Sequence, residues 1–346
     1  MSRSPSRGTI SNLGEFEVIS LIQRSIAQSS LPSPHGIGDD AALIKPHVNH
    51  EWLVSKDLLV EGIHFDTRLS SFQDIGYKAA AVNLSDIAAM GGTPLYLLLG
   101  LAIPPSRTTV DIRNLYRGLN AFCKKFSVKV IGGDTCASRT DICLSLTVIG
   151  KVKTGHALCR DGAKAGDRIY VSGTLGDSGA GLHLLKKRHG NPGQLPQSVV
   201  RFLIMRHQRP TPRVELGQLL STHQIASSAI DLSDGLSGDL HHICQAIQVG
   251  ATIDTPYLPI SRQCASYVKY SRDSLIDLAL NNGEDYELLF TVPPQKQALL
   301  QQMIKGLSLQ ITPIGIIQHH KQKIHYNQAD RTSIPMKRKS YDHFHQ

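Results

Sequence analysis

Hydrophobic positions along the first half of the chain keep two different periods in turn. Trp52–Val60, Leu95–Ile103, Val128–Gly132 and Ile142–Ile149 read as strands, whereas Glu15–Ser29, Asp74–Met90 and Thr109–Phe126 read as helices packed on them. That alternation excludes an all-α or all-β protein and predicts a mixed α/β fold. After Gly150 a turn-rich passage ends in AKAGDRIYVSG, where Gly166–Asp167 introduces a fresh strand, so a domain boundary is expected near residue 151. The second half repeats the mixture, with helices at Asp177–His189, Pro212–Ser221 and Gly235–Val249, strands at Tyr286–Val292 and Ile311–Ile317, and a Gly/Pro/Asn loop at Gly190–Gln197. Two α/β domains are predicted, 14–150 and 151–346, behind a Ser-rich leader at 1–13 that reads as disordered.

Composition changes this picture little. With 346 residues the chain is long enough for two cores, and 41% hydrophobic with 19% charged residues is an ordinary globular balance. The formal charge of +9 is concentrated at the ends: six Lys or Arg against two Asp lie between Gln318 and Gln346, and Arg3 and Arg7 add two more. No basic stripe interleaved with aromatics marks a nucleic-acid binder. Six cysteines without any C-x-x-C pair read as reduced, mostly buried thiols. The longest apolar run, Leu95–Ile103, is less than half of a membrane span. A soluble, cytoplasmic protein that binds no membrane is expected.

Candidate chemistry lies in short segments where Gly or Ser flanks an Asp beside apolar residues: GIGDDAAL, LVSKDLLVEGIHF, VNLSDIAAMGG, VIGGDT and AIDLSDGLSGDL. They supply Asp40, Asp57, Asp86, Asp134, Asp231 and Asp234, with Asp39 in reserve. A lone Gly-Asp or Ser-Asp is usually a turn or a helix cap, the reading taken for Asp239. As a set, so many acids beside apolar residues would each carry a desolvation cost that shared cations relieve. Oxygen donors without a His/Cys cluster favour Mg²⁺ over zinc, and His241, His242 and Cys244 read as surface or packing residues. No phosphate-binding G-x-x-x-x-G-K-[ST] loop is present, and GIGDDA reads as a metal-binding turn rather than a dinucleotide fingerprint. If donor and acceptor are both phosphates, an acid-rich site with several cations is what the transfer requires, and the acceptor oxygen needs no general base.

These segments, in this order, resemble the thiamine-monophosphate kinases, a branch of the aminoimidazole-ribonucleotide-synthetase-like ATP-binding superfamily. GEF at Gly14–Phe16, IGGDT, GEDYELLF and the terminal YDHF at Tyr341–Phe344 extend the resemblance over nearly the whole chain. It implies ATP-dependent phosphorylation of thiamine monophosphate, an N-terminal ATP- and Mg²⁺-binding domain, a C-terminal α/β domain and a homodimer built around the N-terminal domains. By position it implies metal ligands at Asp40, Ser55, Lys56, Asp57, Asp86, Asp134, Asp231 and Asp234. ATP contacts are implied at Tyr116, Gly133, Asp134, Arg160 and Ser233, and substrate contacts at His64, Glu284 and Tyr341. One departure stands out: Ser55-Lys56-Asp57 replaces the family's Ser-Thr-Asp, which is tolerable if that residue coordinates through its carbonyl and costs a metal if it does so through its side chain. Each position also has a plainer reading. His64 could be a core histidine, Arg160 a partner of Asp161, Glu284 a turn acid and Tyr116 a core residue. Rival functions are a selenophosphate-synthetase-like or aminoimidazole-ribonucleotide-synthetase-like enzyme, or a non-catalytic ATP-binding regulator.

Overall fold

A computed structural model describes residues 48–186, 195–319 and 323–339. The expected helix Glu15–Ser29, the GIGDDAAL turn with Asp39 and Asp40, and Tyr341 in YDHF lie outside the described residues. Two compact units divide the chain: one holds residues up to Leu84 and Pro94–Lys151, the other Ser85–Thr93 and everything from Val152.

The first unit carries a four-stranded sheet in the order β1-β4-β2-β3, formed by β1 (His50–Val60), β2 (Thr93–Ile103), β3 (Lys129–Ala137) and β4 (Cys143–Lys153), with β2 and β3 parallel. Period-two burial is plain on β4, where Leu144, Leu146 and Val148 are buried and Cys143, Ser145 and Thr147 are half-exposed. Helices α1 (Phe72–Ala89) and α2 (Thr109–Lys125) supply the covering layer. Thr108 caps α2 in a reciprocal box with Asp111. The two helices cross closely enough that a Cβ at Gly76 or Gly118 would overlap a backbone carbonyl of the other helix, and Tyr77 packs edge-on against Phe122 at 4.8 Å. β3 runs five residues beyond the predicted end at Gly132, so Asp134 lies inside a strand rather than at its end.

The second unit is built on a seven-stranded sheet in the order β11-β10-β7-β9-β5-β8-β6. Its strands are β5 (Arg168–Ser172), β6 (Ser228–Asp231), β7 (Gly250–Asp254), β8 (Leu288–Val292), β9 (Ile311–Gln318), β10 (Ile324–Asn327) and β11 (Ser333–Pro335), antiparallel except for β10 with β7. Between them lie α3 (Asp177–Lys186), α4 (Gln197–Gln208), α5 (Val214–Thr222), α6 (Leu236–Ile247), α7 (Arg262–Val268), α8 (Leu275–Asn281) and α9 (Gln297–Met303).

Both faces of the sheet are buried at β5, β6 and β8, and alternation sorts these strands between two cores. Ile169 and Val171 of β5, Ile230 of β6 and Leu289 of β8 join Leu240 and Ile243 of α6. Tyr170, Ala229, Leu288, Phe290 and Val292, on the opposite face, join Leu216 and Leu220 of α5 and Leu300 of α9. A strand buried on both sides reads as LLFTV, apolar but for Thr291, whose hydroxyl pairs with those of Ser227 and Ser228.

Sequence readings change here. The strand expected from Tyr286 starts at Leu288, because the preceding residues pair elsewhere; β6, β7, β10, β11 and α7 to α9 were not anticipated, nor was α4, although Val200, Leu203, Ile204 and His207 repeat at helical spacing on its buried side.

Candidate active site

β6 delivers Asp231, buried, at its C-terminal end, and the chain then turns through Leu232–Gly235 into α6. This turn is zipped to the segment before β8. Leu232 N–H donates to Glu287 O at 2.8 Å, Tyr286 N–H to Leu232 O at 2.9 Å, and Glu284 N–H to Ser233 O at 2.8 Å. The approach is so close that a Cβ at Gly283 would overlap Ser233 O. Glu284 and Tyr286 take φ of 67° and 50°, a left-handed conformation uncommon in residues with a side chain. Backbone pairing therefore holds Ser233, Asp234 and Glu284 in one place.

Asp239, on the first turn of α6, accepts the N–H groups of Asp234 and Gly235 at 3.2 Å each, which is the capping role expected of it. It is nevertheless buried. Burial first, then the charges of Asp231 and Asp234, push its carboxyl up to about 8. Three acids thus act on one another in this region. Arg160 is exposed and among the described residues forms no ion pair with Asp161. Its charge, with that of Arg338, bears instead on His242, whose pKa is lowered mainly by burial. The described C-terminal segment returns to this helix: Met336 is buried, Arg338 Nη2 lies 3.2 Å from His242 Nε2, and Lys339 N–H reaches Ser237 Oγ at 3.5 Å.

Sequence reasoning missed what lies beneath the turn. Asp177, Asp285 and Glu287 are all buried. Glu287 accepts from Arg206 Nη2 at 2.9 Å, from Arg213 Nε at 2.5 Å and through a second, closer bond from Arg213 Nη2, and from Ser172 Oγ at 2.6 Å. Asp285 accepts Gly176 N–H at 2.6 Å and Ser178 N–H at 3.0 Å; burial raises its pKa to about 7 although Arg206 and those N–H groups oppose the rise. Asp177 accepts from Thr174 Oγ1 and Ser261 Oγ, at 2.5 Å each, and stands 3.5 Å from Arg206 Nε. A sequence signal existed: three acids in GEDYE, directly before a largely apolar strand, demand cations, and RHQRPTPR at 206–213 is a basic run that could supply them.

In the first unit Ser55 and Asp57 sit on one side of β1, while Lys56 is exposed on the other, where its Nζ donates to Ser145 Oγ at 2.5 Å. The Lys56 ammonium is turned away from Ser55 and Asp57, so only its carbonyl could act with them. Gly133 and Asp134 are exposed on β3. Since β4 and β2 separate β1 from β3, Asp57 and Asp134 lie on strands roughly 14 Å apart within one chain. His64 is half-buried in the turn after β1, and its Nδ1 accepts Val60 N–H at 3.0 Å, which leaves the neutral ring's proton on Nε2. Glu61 ties this turn down through Arg107 at 2.8 Å and Ile142 N–H at 3.1 Å. Tyr116 is a core residue of α2, 3% exposed, its phenol raised by burial. Asp86 is half-buried on α1.

Among the described residues no three His, Cys, Asp or Glu side chains are grouped so as to hold a metal ion by themselves. The donor set is still oxygen throughout, and beside Asp86 the buried oxygens Asn83 Oδ1 and Ser85 Oγ have no hydrogen-bond partner. Oxygen donors of this kind fit a hard cation that completes its shell with water and phosphate.

Residues 38–152 match the model of the AIR synthase related protein N-terminal domain, and residues 164–327 that of the C-terminal domain. The chain is 39% identical to the thiamine-monophosphate kinase of Bacillus subtilis, over 96% of this chain and all of that one. It is also 39% identical to that of Escherichia coli K12, over 96% and 98%. A crystal structure of thiamine-monophosphate kinase from Stenotrophomonas maltophilia superposes with a TM-score of 0.79 at 38% identity, covering 91% and 96% of the two chains. AaThiL complexed with AMPPCP and TMP does so with a TM-score of 0.72 at 31% identity, over 96% and 99%. The Escherichia coli hydrogenase maturation protein HypE, at 18% identity and TM-score 0.75, shares the fold alone.

Because buried Glu287 compensates two partly buried guanidinium groups, Glu287→Ala should destabilise the protein by about 3–5 kcal/mol. Glu287→Gln, which keeps an acceptor, should cost less. Chemical denaturation monitored by circular dichroism distinguishes them, and equal midpoints for Ala and wild type would exclude a stabilising ion cluster.

Proposed function

The chain belongs to the AIR synthase related family and, within it, to the thiamine-monophosphate kinases, and we propose on that basis how its own residues carry out the transfer. It phosphorylates thiamine monophosphate with ATP as donor. The bond formed joins an oxygen of the acceptor phosphate to the γ-phosphorus; the bond broken is that between the γ-phosphorus and the oxygen bridging to the β-phosphorus, and ADP leaves. No protein nucleophile is required, since a phosphate oxygen is already deprotonated near neutral pH.

The observation that carries this reading is the zipped turn of the second unit. It presents Asp231, Ser233 and Asp234 beside Glu284, with Arg160 and the returning C-terminal segment at the same helix end. Arg160 and Ser233 would hold nucleotide phosphates, as would the Gly133–Asp134 backbone, which lacks a side chain at Gly133 to obstruct it. Glu284 and the Nε2–H of His64 would hold the acceptor. Tyr341 follows Lys339 by two residues, and we assign its ring to the cationic thiazolium, a pairing worth about 0.5–2 kcal/mol. Asp40, Ser55, Asp57, Asp86, Asp134, Asp231 and Asp234, with the Lys56 carbonyl, would hold Mg²⁺, whose charge offsets that of the two polyphosphates when bound. Tyr116 supports this arrangement from the core. A regulator without activity would be expected to lose part of this acid set, and Lys56, the one residue that suggested it, points away from Ser55 and Asp57.

We place the reaction in the cytoplasm, where ATP is available. All six cysteines are free and, among the described residues, no helix is long and apolar enough to cross a membrane. We also propose a homodimer. One face of the first unit's sheet exposes Trp52, Val54 and Leu58, at 38%, 66% and 55%. A second copy covering it would bury these residues.

Three outcomes are expected. Incubated with ATP, Mg²⁺ and thiamine monophosphate, the protein should release ADP and thiamine diphosphate in equal amounts. EDTA, Asp57→Asn or Asp134→Asn should abolish turnover; AMP or free phosphate as the stoichiometric product would overturn the reaction. Lys56→Thr should leave kcat and KM within about twofold, because the ammonium lies on the far side of β1; a large gain in rate with a lower Mg²⁺ requirement would instead put the lysine in the site. Light scattering should give a mass of twice 37.8 kDa, and Val54→Asp should halve it; a monomeric wild type would exclude the dimer.

A further inference from the structure

One turn of α4 grips both ends of the Glu284–Glu287 segment. Arg206 binds Glu287 at 2.9 Å, and the next residue, His207, faces Glu284, with its Nδ1 3.3 Å from Glu284 Oε2 and 3.1 Å from Ser178 Oγ. His207 is 7% exposed, whereas the Glu284 side chain is 28% exposed, so the contact runs from the interior to a carboxylate at the surface of the turn. Ser178 joins the two ends of the arrangement: its hydroxyl meets His207, and its N–H is donated to Asp285 at 3.0 Å.

The contacts divide the three acids by task. Asp285 and Glu287 are sealed in and fully engaged by backbone N–H groups and arginines. Glu284 has its backbone fixed, by the bond to Ser233 O and the left-handed φ of 67°, but its side chain has rotatable bonds that the backbone does not control. His207 restrains them. A carboxylate can only accept, so a proton shared with Glu284 sits on Nδ1, where Ser178 Oγ is the second group within reach.

We propose that His207 is a positioning residue for acceptor recognition: by holding Oε2 of Glu284 it orients the carboxylate that meets the amino or cationic groups of the acceptor. The inference rests on the reading that Glu284 contacts the acceptor. It concerns affinity for thiamine monophosphate and leaves the ATP side untouched.

Steady-state kinetics with both substrates, together with thermal melting, test it on the full-length protein. Glu284→Ala should raise KM for thiamine monophosphate, and His207→Ala should raise it by about tenfold or more, the worth of a hydrogen bond to a charged group. KM for ATP should stay within twofold in both. His207→Asn, whose amide N–H takes the place of Nδ1–H, should recover most of the loss, and His207→Gln, whose amide sits farther out, should not. The double variant should be no worse than Glu284→Ala alone. An unchanged acceptor KM in Glu284→Ala would overturn the reading of Glu284 and the inference with it. A normal response in Glu284→Ala with no effect in His207→Ala, or with equal rises in both KM values, would overturn the role of His207 alone. Should His207→Ala not fold, the contrast between Asn and Gln decides: equal kinetics in these two would exclude positioning.

Discussion

Three buried carboxylates and two partly buried guanidinium groups under a single turn constrain the second unit more than any other feature. Asp177, Asp285 and Glu287 have no water to stabilise their charge, so each must take backbone N–H groups, hydroxyls or arginines as substitutes. Meeting that demand fixes where Gly176, Ser178, Arg206 and Arg213 stand, and these come from α3, from α4 and from the approach to α5. Once Asp285 and Glu287 are anchored, the residues before β8 cannot continue the strand. They turn aside, pair with Leu232 and Ser233, and leave Glu284 outward. The turn that carries the candidate phosphate and acceptor contacts is therefore a by-product of satisfying buried charge.

The frame beneath it is stiff for a different reason. β5, β6 and β8 are covered on both faces, and their odd and even residues belong to separate cores. A register slip of one residue would exchange the two cores, so pairing is strongly specified. Strand ends in such a sheet are precise platforms, and Asp231, the last residue of β6, inherits that precision.

The sheet of the first unit is asymmetric. Its buried face packs under helices that approach backbone to backbone at Gly76 and Gly118, and its other face keeps Trp52, Val54, Lys56 and Leu58 exposed. Period two along β1 accounts for the oddity of a lysine between two candidate ligands: Ser55 and Asp57 share one side, and the lysine stem lies among apolar neighbours on the other, its ammonium at Ser145. A substitution that looked like the loss of a ligand is a change to the opposite surface.

By itself the sequence determined the elements whose signals are local. β1, β2, β4, α1 and α2 follow from apolar period and lie within a few residues of where that period puts them. The order of the motifs was enough for the family and its reaction, because GEDYELLF and IDLSDGLSGDL are contiguous strings. What required the tertiary structure depends on residues far apart in the chain. The partners of Asp285 and Glu287 lie over 70 residues before them, and no spacing rule pairs Arg213 with Glu287 or His207 with Glu284. The side to which Lys56 points, the burial of Asp239 beside Asp231 and Asp234, and the start of β8 at Leu288 rather than Tyr286 were decided the same way. Each turns on desolvation and on which groups can reach one another, quantities that exist only once the chain has folded.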